Sequence, residues 1–214
     1  FMMKETIKRR TPMLEDKISL TAEKDCYLSE ECFENETIKN VDIEHFEFKD
    51  VQFLKCQFDS CNFSKSSFYK SIFDKCDFSN CNFKDSYWDN SNLIDCKGTG
   101  TYFNQSHFKS TNFSNDYFRY ANFTKSNFIN CTLKDCNLTE TFFSETKFKT
   151  IDLKNINFTG TDFFKASLKG LDLSKCIIDG IIVSDTFTEL KGAKINYLQA
   201  VIVARLLGLK ILDY

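Results

Sequence analysis

The sequence predicts an all-β fold in which the chain turns a corner every five residues and stacks its coils. A helix closes the C-terminal end. Three observations predict this: a large apolar residue recurs at every fifth position, a small one recurs two places before it, and the pattern gives way near residue 185 to a stretch with helical periodicity and cap signals.

The beat runs Ile38, Ile43, Phe48, Phe53, Phe58, Phe63, Phe68 and onward to Leu173, Ile178 and Val183. That makes 30 positions without an insertion or deletion, and only Gly98 among them is not large and apolar. Two places earlier stand Cys56, Cys61, Ser66, Ser71, Cys76, Cys81 and then similar small residues. The other three positions are mostly Asn, Asp, Ser, Lys, Thr and Glu. Two inward residues in every five, one large and one small, fit neither the 3.6 period of a helix nor the 2.0 period of a strand.

Units such as "CNFSK", "CDFSN", "ANFTK" and "TDFFK" resemble those of the pentapeptide repeat proteins over about residues 36–185. The resemblance implies a right-handed quadrilateral parallel β-helix, a pentapeptide repeat solenoid with four units per coil and a C-terminal α-helical cap. Residues 20 apart then share a side, and 30 units make about seven and a half coils. At roughly 4.8 Å per coil the shaft is about 36 Å long.

Ten cysteines suggest a metal or redox site, but nine of them, all except Cys32, lie in the small inward column. No C-x-x-C pair is present, so they read as small packing residues, and no cofactor or metal is expected. Gly98 falls opposite the single tryptophan, Trp88, and the expectation is that Trp88 fills the volume Gly98 leaves. Asp116 falls in the small column and reads either as a hydrogen-bonded carboxylate in a local bulge or as part of a contact patch. Lys97, Tyr117, Arg119 and Tyr120 surround it on one side and form the candidate partner surface.

Residues 1–35 read as a flexible or irregular lead-in, with Pro12 as punctuation and a basic run from Lys8 to Arg10. Residues 186–214 read as a capping and dimerisation module. Asn196 is the expected N-cap and Gly208 the C′ residue of a helix, and a short strand is expected from Leu209 to Leu212. Leu198, Val201, Ile202, Leu206, Leu207, Leu209 and Ile211 form an apolar face too wide for one shaft end, which points to a homodimer. The tail "LKGAKINYLQAVIVARLLGLKI" is similar to the end of the Qnr-type quinolone-resistance members of the family. That similarity implies a two-fold dimer and an interaction with DNA gyrase or topoisomerase IV by DNA mimicry.

Charge bears on that reading. Twenty-eight basic and 30 acidic residues leave a net charge of -2, which argues against direct nucleic-acid binding. By side, the sums are -3 for the Phe58 side, -2 for Phe63, +3 for Phe68 and 0 for Phe73. No side approaches the charge density of duplex DNA. A general protein-interaction rod with an unrelated partner therefore stands as the alternative. An enzyme is not expected, because His45 and His107 lie in outward columns and no nucleophile elbow, phosphate loop or zinc motif is present. No apolar run spans a bilayer and no signal-peptide pattern opens the chain, so a cytoplasmic address is expected.

Overall fold

The computed structural model describes residues 13–22 and 26–212. It is a four-sided parallel β-helix closed by a helix at each end. The strands are β1 (Tyr27–Ser29), β2 (Cys32–Glu34), β3 (Thr37–Lys39), β4 (Glu47–Lys49), β5 (Gln52–Leu54), β6 (Gln57–Asp59), β7 (Ser67–Tyr69), β8 (Ile72–Asp74), β9 (Tyr87–Asp89), β10 (Asn92–Ile94), β11 (His107–Lys109), β12 (Asn112–Ser114), β13 (Asn127–Lys134) and β14 (Lys147–Lys154). Every pair is parallel at a register of 20 residues, as in Phe48 with Phe68 and Leu93 with Phe113.

The backbone ladder explains the five-residue unit. At most centres the preceding amide donates downward (Gln57 to the Glu36 carbonyl, 2.8 Å), and the centre's own amide donates upward (Phe58 to Asp77, 2.7 Å). The corner residue two places after the centre sits at positive φ at every corner from Glu30 to Gly170 and again at Gly180, for example Asn40 at 54° and Asp50 at 54°. Asn, Asp and Gly tolerate that region best, which accounts for their frequency there.

Phenylalanines fill the interior in two geometries. Along a side they stack, as Phe63 on Phe83 does at 4.6 Å and 1°, and around a coil they meet edge to face, as Phe58 meets Phe63 at 5.3 Å and 81°. The small column is more than filler. Its hydroxyls and thiols donate to the carbonyl 23 residues earlier: Ser66 Oγ to Ile43 at 2.6 Å, Cys76 Sγ to Phe53 at 3.2 Å, Thr141 Oγ1 to Phe118 at 3.0 Å.

Both ends differ from the sequence expectation. The coils begin before residue 36: Leu28 and Phe33 keep the beat, are buried, and pair through β1 with β4 and β2 with β5. Glu31 in the small column hides this in the sequence. Helix α1 (Leu14–Ala22) covers the lower end, with Leu14 and Ile18 buried in the core and the Leu14 amide donating to Glu36 Oε2 at 2.8 Å. An uncovered coil would expose unpaired backbone and core. Pro12 and the run from Lys8 to Arg10 lie outside the described residues. At the upper end, α2 (Tyr197–Leu206) starts on Asn196 in a capping box with Gln199, and Gly208 follows at φ 79°. No strand forms from Leu209 to Leu212, where the backbone joins no ladder among the described residues.

Candidate interaction surface

The residues expected to form a partner surface come together on the Phe58 side. Lys97 and Tyr117 are bridged neighbours in one outward ladder, and Lys97 pairs with Asp77 one coil below at 3.3 Å. Arg119 donates from Nη2 and Nε to Glu140 Oε2, at 2.7 and 2.9 Å, and its guanidinium lies 4.6 Å from the Tyr120 ring centroid. Tyr120 and Arg119 together hold the Glu140 carboxyl below the usual carboxylate range. The cluster is thus a planar cation, a ring and a carboxylate, pre-oriented on a rigid backbone and open to solvent.

Asp116 lies beneath this cluster, 1 % exposed. Its Oδ1 accepts from the Cys96 amide at 2.8 Å and its Oδ2 from the Ser114 amide at 3.0 Å. There is no bulge, since Tyr117 bridges both Lys97 and Asn137 in register. Burial pushes the Asp116 carboxyl well above its ordinary value, against those two amides. Burial, reinforced by Asp116, also pushes the Cys136 thiol up to about 12.

The Gly98 expectation needs correction. A Cβ at Gly98 would lie 2.6 Å from Phe118 and 2.7 Å from Phe78, so the gap is closed from above and below and not by Trp88. Those rings are two coils apart, about 9.6 Å by strand spacing, yet their centroids approach to 5.9 Å. Trp88 is an ordinary member of its own column, stacked 4.0 Å from Phe68 and donating from Nε1 to Ser86 Oγ at 2.8 Å.

Sequence reasoning missed part of the exposed surface. Tyr102, Phe142 and Ile182 occupy the outward position before their centres, in one bridged ladder with Asn82, Asn122 and Asp162. All three are large and exposed, and they run along the edge beside Tyr120. The available signal was an aromatic residue in a column otherwise kept polar.

The predicted dimer residues divide into two sets. Ile202 and Leu206 pack on the shaft end, and Val201 is half-buried. Leu198, Leu207, Leu209 and Ile211 stay exposed. Gln199 anchors the helix: buried, it donates from Nε2 to the carbonyls of Leu173 (2.8 Å) and Cys176 (2.7 Å). Among the described residues no group of three His, Cys, Asp or Glu could hold a metal ion, and no helix is long and apolar enough to cross a membrane.

Among solved structures, a trypsin-treated form of QnrB1, a plasmid-mediated fluoroquinolone resistance protein, superposes with a TM-score of 0.52 at 16 % identity, covering 86 % of this chain and all of that one. Full-length QnrB1 aligns at 21 % identity over 84 % of this chain and 96 % of its own, with a TM-score of 0.43. No curated protein matches the sequence. The sequence model described as "Pentapeptide repeat region" matches residues 66–130 and 117–182, more than half of the chain. With the unbroken beat of five, the 20-residue register and that match in agreement, the chain belongs to the pentapeptide repeat family.

Proposed function

We propose that this protein is a non-catalytic binding rod, a homodimer joined through its C-terminal helices, that acts in the cytoplasm on DNA gyrase or topoisomerase IV. Its Phe58 and Phe63 sides stand in for duplex DNA and so change the response to quinolones. The observation that carries this reading is the segregation of charge on a rigid shaft. Over the coils from residue 26 onward, the Phe58, Phe63 and Phe73 sides sum to -3, -2 and -2, and the Phe68 side to +2. A fixed acidic surface attracts a DNA-binding saddle without unwinding or bending anything. The fold likeness to QnrB1 supports the same direction. The protein binds neither nucleic acid nor membranes directly.

A second reading, an interaction rod for an unrelated protein, is favoured by one observation. Tyr117, Arg119 and Tyr120 crowd the acidic sides with exposed rings that have no counterpart on a DNA backbone, and such residues anchor protein interfaces. A supercoiling assay separates the two. Gyrase inhibition, or a higher fluoroquinolone concentration needed to inhibit it, supports the first reading. Unchanged supercoiling over a wide range of protein concentration leaves the second.

A further inference from the structure

The backbone ladder is broken at one place in the shaft. On the Phe68 and Phe73 sides, among the described residues, no backbone hydrogen bond joins 147–155 to the coil above them, 166–175. One coil lower the same positions are fully laddered, β13 pairing with β14 along both sides. The coil above pairs only upward, Leu168 to Glu189 and Leu173 to Lys194. On the other two sides the stack is intact, with Ile177 donating to Ile156 at 2.9 Å and Phe158 to Ile177 at 2.8 Å. The chain therefore opens as a wedge. The upper edge of β14 is left unpaired, and Phe148, Ile151 and Leu153, which should be core, are only half-buried.

The cause is in the small column. Ile151 and Leu171 are the only two large apolar residues stacked one above the other there. A missing hydroxyl is not enough: Ala121 has none, yet its neighbour Asn122 still donates to Thr101 at 2.9 Å. One large residue is not enough either, since Ile156 under Cys176 leaves the ladder closed. Two stacked side chains exceed the space that one coil spacing allows.

We propose that this wedge is a docking site for an extended acidic segment of a partner protein, which adds as a strand to β14 along Lys147–Thr150. Unpaired strand edges recruit strands, the main chain supplying hydrogen bonds and alternate side chains the selectivity. The charge follows from the rim. A hollow at the wedge is lined by Lys147, Phe148, Lys165 and Lys169, with one carboxylate, Glu145, which pairs with Lys125 from the coil below. Among the described residues neither these three lysines nor Lys149 joins an ion pair, whereas Lys109 and Lys125 lower on the shaft do. A partner strand would set an apolar side chain on Phe148 and carboxylates on the lysines. The site lies behind the Phe58 and Phe63 sides, so it is independent of the topoisomerase reading.

The test uses the full chain and a fluorescent hexapeptide of alternating glutamate and valine, at concentrations up to about 1 mM. Saturable binding is expected, with slowed hydrogen exchange at the Phe148 and Thr150 amides. Binding should weaken about tenfold for the same peptide carrying central prolines, which keep the charge but lose amide donors. A similar loss is expected for the Lys147→Glu/Lys169→Glu protein. Leu171→Ser, which removes the stacked bulk, should close the wedge and abolish binding while thermal unfolding remains cooperative. Absence of saturable binding overturns the proposal. So does equal binding of the proline peptide, which would mean that the lysines merely attract charge. Slow exchange at Phe148 and Thr150 in the free protein also overturns it, because the ladder would then be closed in solution.

Discussion

Asp116 occupies a position that holds cysteine in the coils directly below and above, Cys96 and Cys136. Two amides satisfy its oxygens, but burial raises its pKa above the unfolded carboxylate value. Protonated Asp116 is therefore the form the fold prefers, so stability is greatest below the unfolded pKa and is lost as pH rises through the folded one. Asp116→Ser should accept from the Cys96 amide as Ser106 and Ser126 accept from the amides 20 residues earlier, without a buried charge. It is expected to raise stability at neutral pH by about 1–2 kcal/mol, with the advantage shrinking on acidification. Denaturant unfolding across the acid range checks this. Gly98→Ala makes the opposite case: its Cβ would enter the contact radius of both Phe78 and Phe118. A loss of about 1–3 kcal/mol is expected, read as a lower urea midpoint with an unchanged slope.

At the scale of elements, α2 is held by one side chain that does three things. Gln199 completes the capping box through Asn196 and satisfies two carbonyls at the shaft end. Gln199→Ala therefore leaves the buried Cys176 carbonyl without a donor, the Leu173 carbonyl keeping the Cys176 amide, as well as weakening the helix start. A loss of about 2–4 kcal/mol is expected, appearing first as fast hydrogen exchange in 197–206 while the central coils stay protected. Unchanged protection in α2 would show that apolar packing of Ile202 and Leu206 alone holds the cap. The helix and its cap were legible in the sequence, since Asn196 and Gly208 bracket an apolar stretch. The α1 cap was not. Leu14 and Ile18 are two apolar residues in a short charged segment, and only the exposed end of the first coil gives them a place to bury.

At the scale of the whole molecule, the upper cap ends in a surface a single chain does not cover. Leu198, Leu207, Leu209 and Ile211 remain exposed beside Tyr197, which is 80 % exposed. If two copies meet there, Leu198→Glu combined with Leu207→Glu should give a monomer with an unchanged far-ultraviolet spectrum. Sedimentation velocity distinguishes the outcomes: a wild type already sedimenting as a monomer would remove the homodimer from the proposed function.

The beat of five, set by alternating large and small inward residues, was enough by itself to determine a chain that turns every five residues and the inward place of the buried thiols, while four units per coil, and with them the 20-residue register, followed from the family resemblance. A one-dimensional period of side-chain size maps directly onto a structure that repeats in one dimension. What only the tertiary structure decided lies between coils. Phe78 and Phe118 close over Gly98, Tyr102 and Phe142 align along one edge, and Ile151 pushes against Leu171 until the ladder parts. Each depends on residues 20 or 40 apart meeting through space, where a fixed coil spacing turns an excess or shortage of volume into a shift of rings or a break in hydrogen bonding.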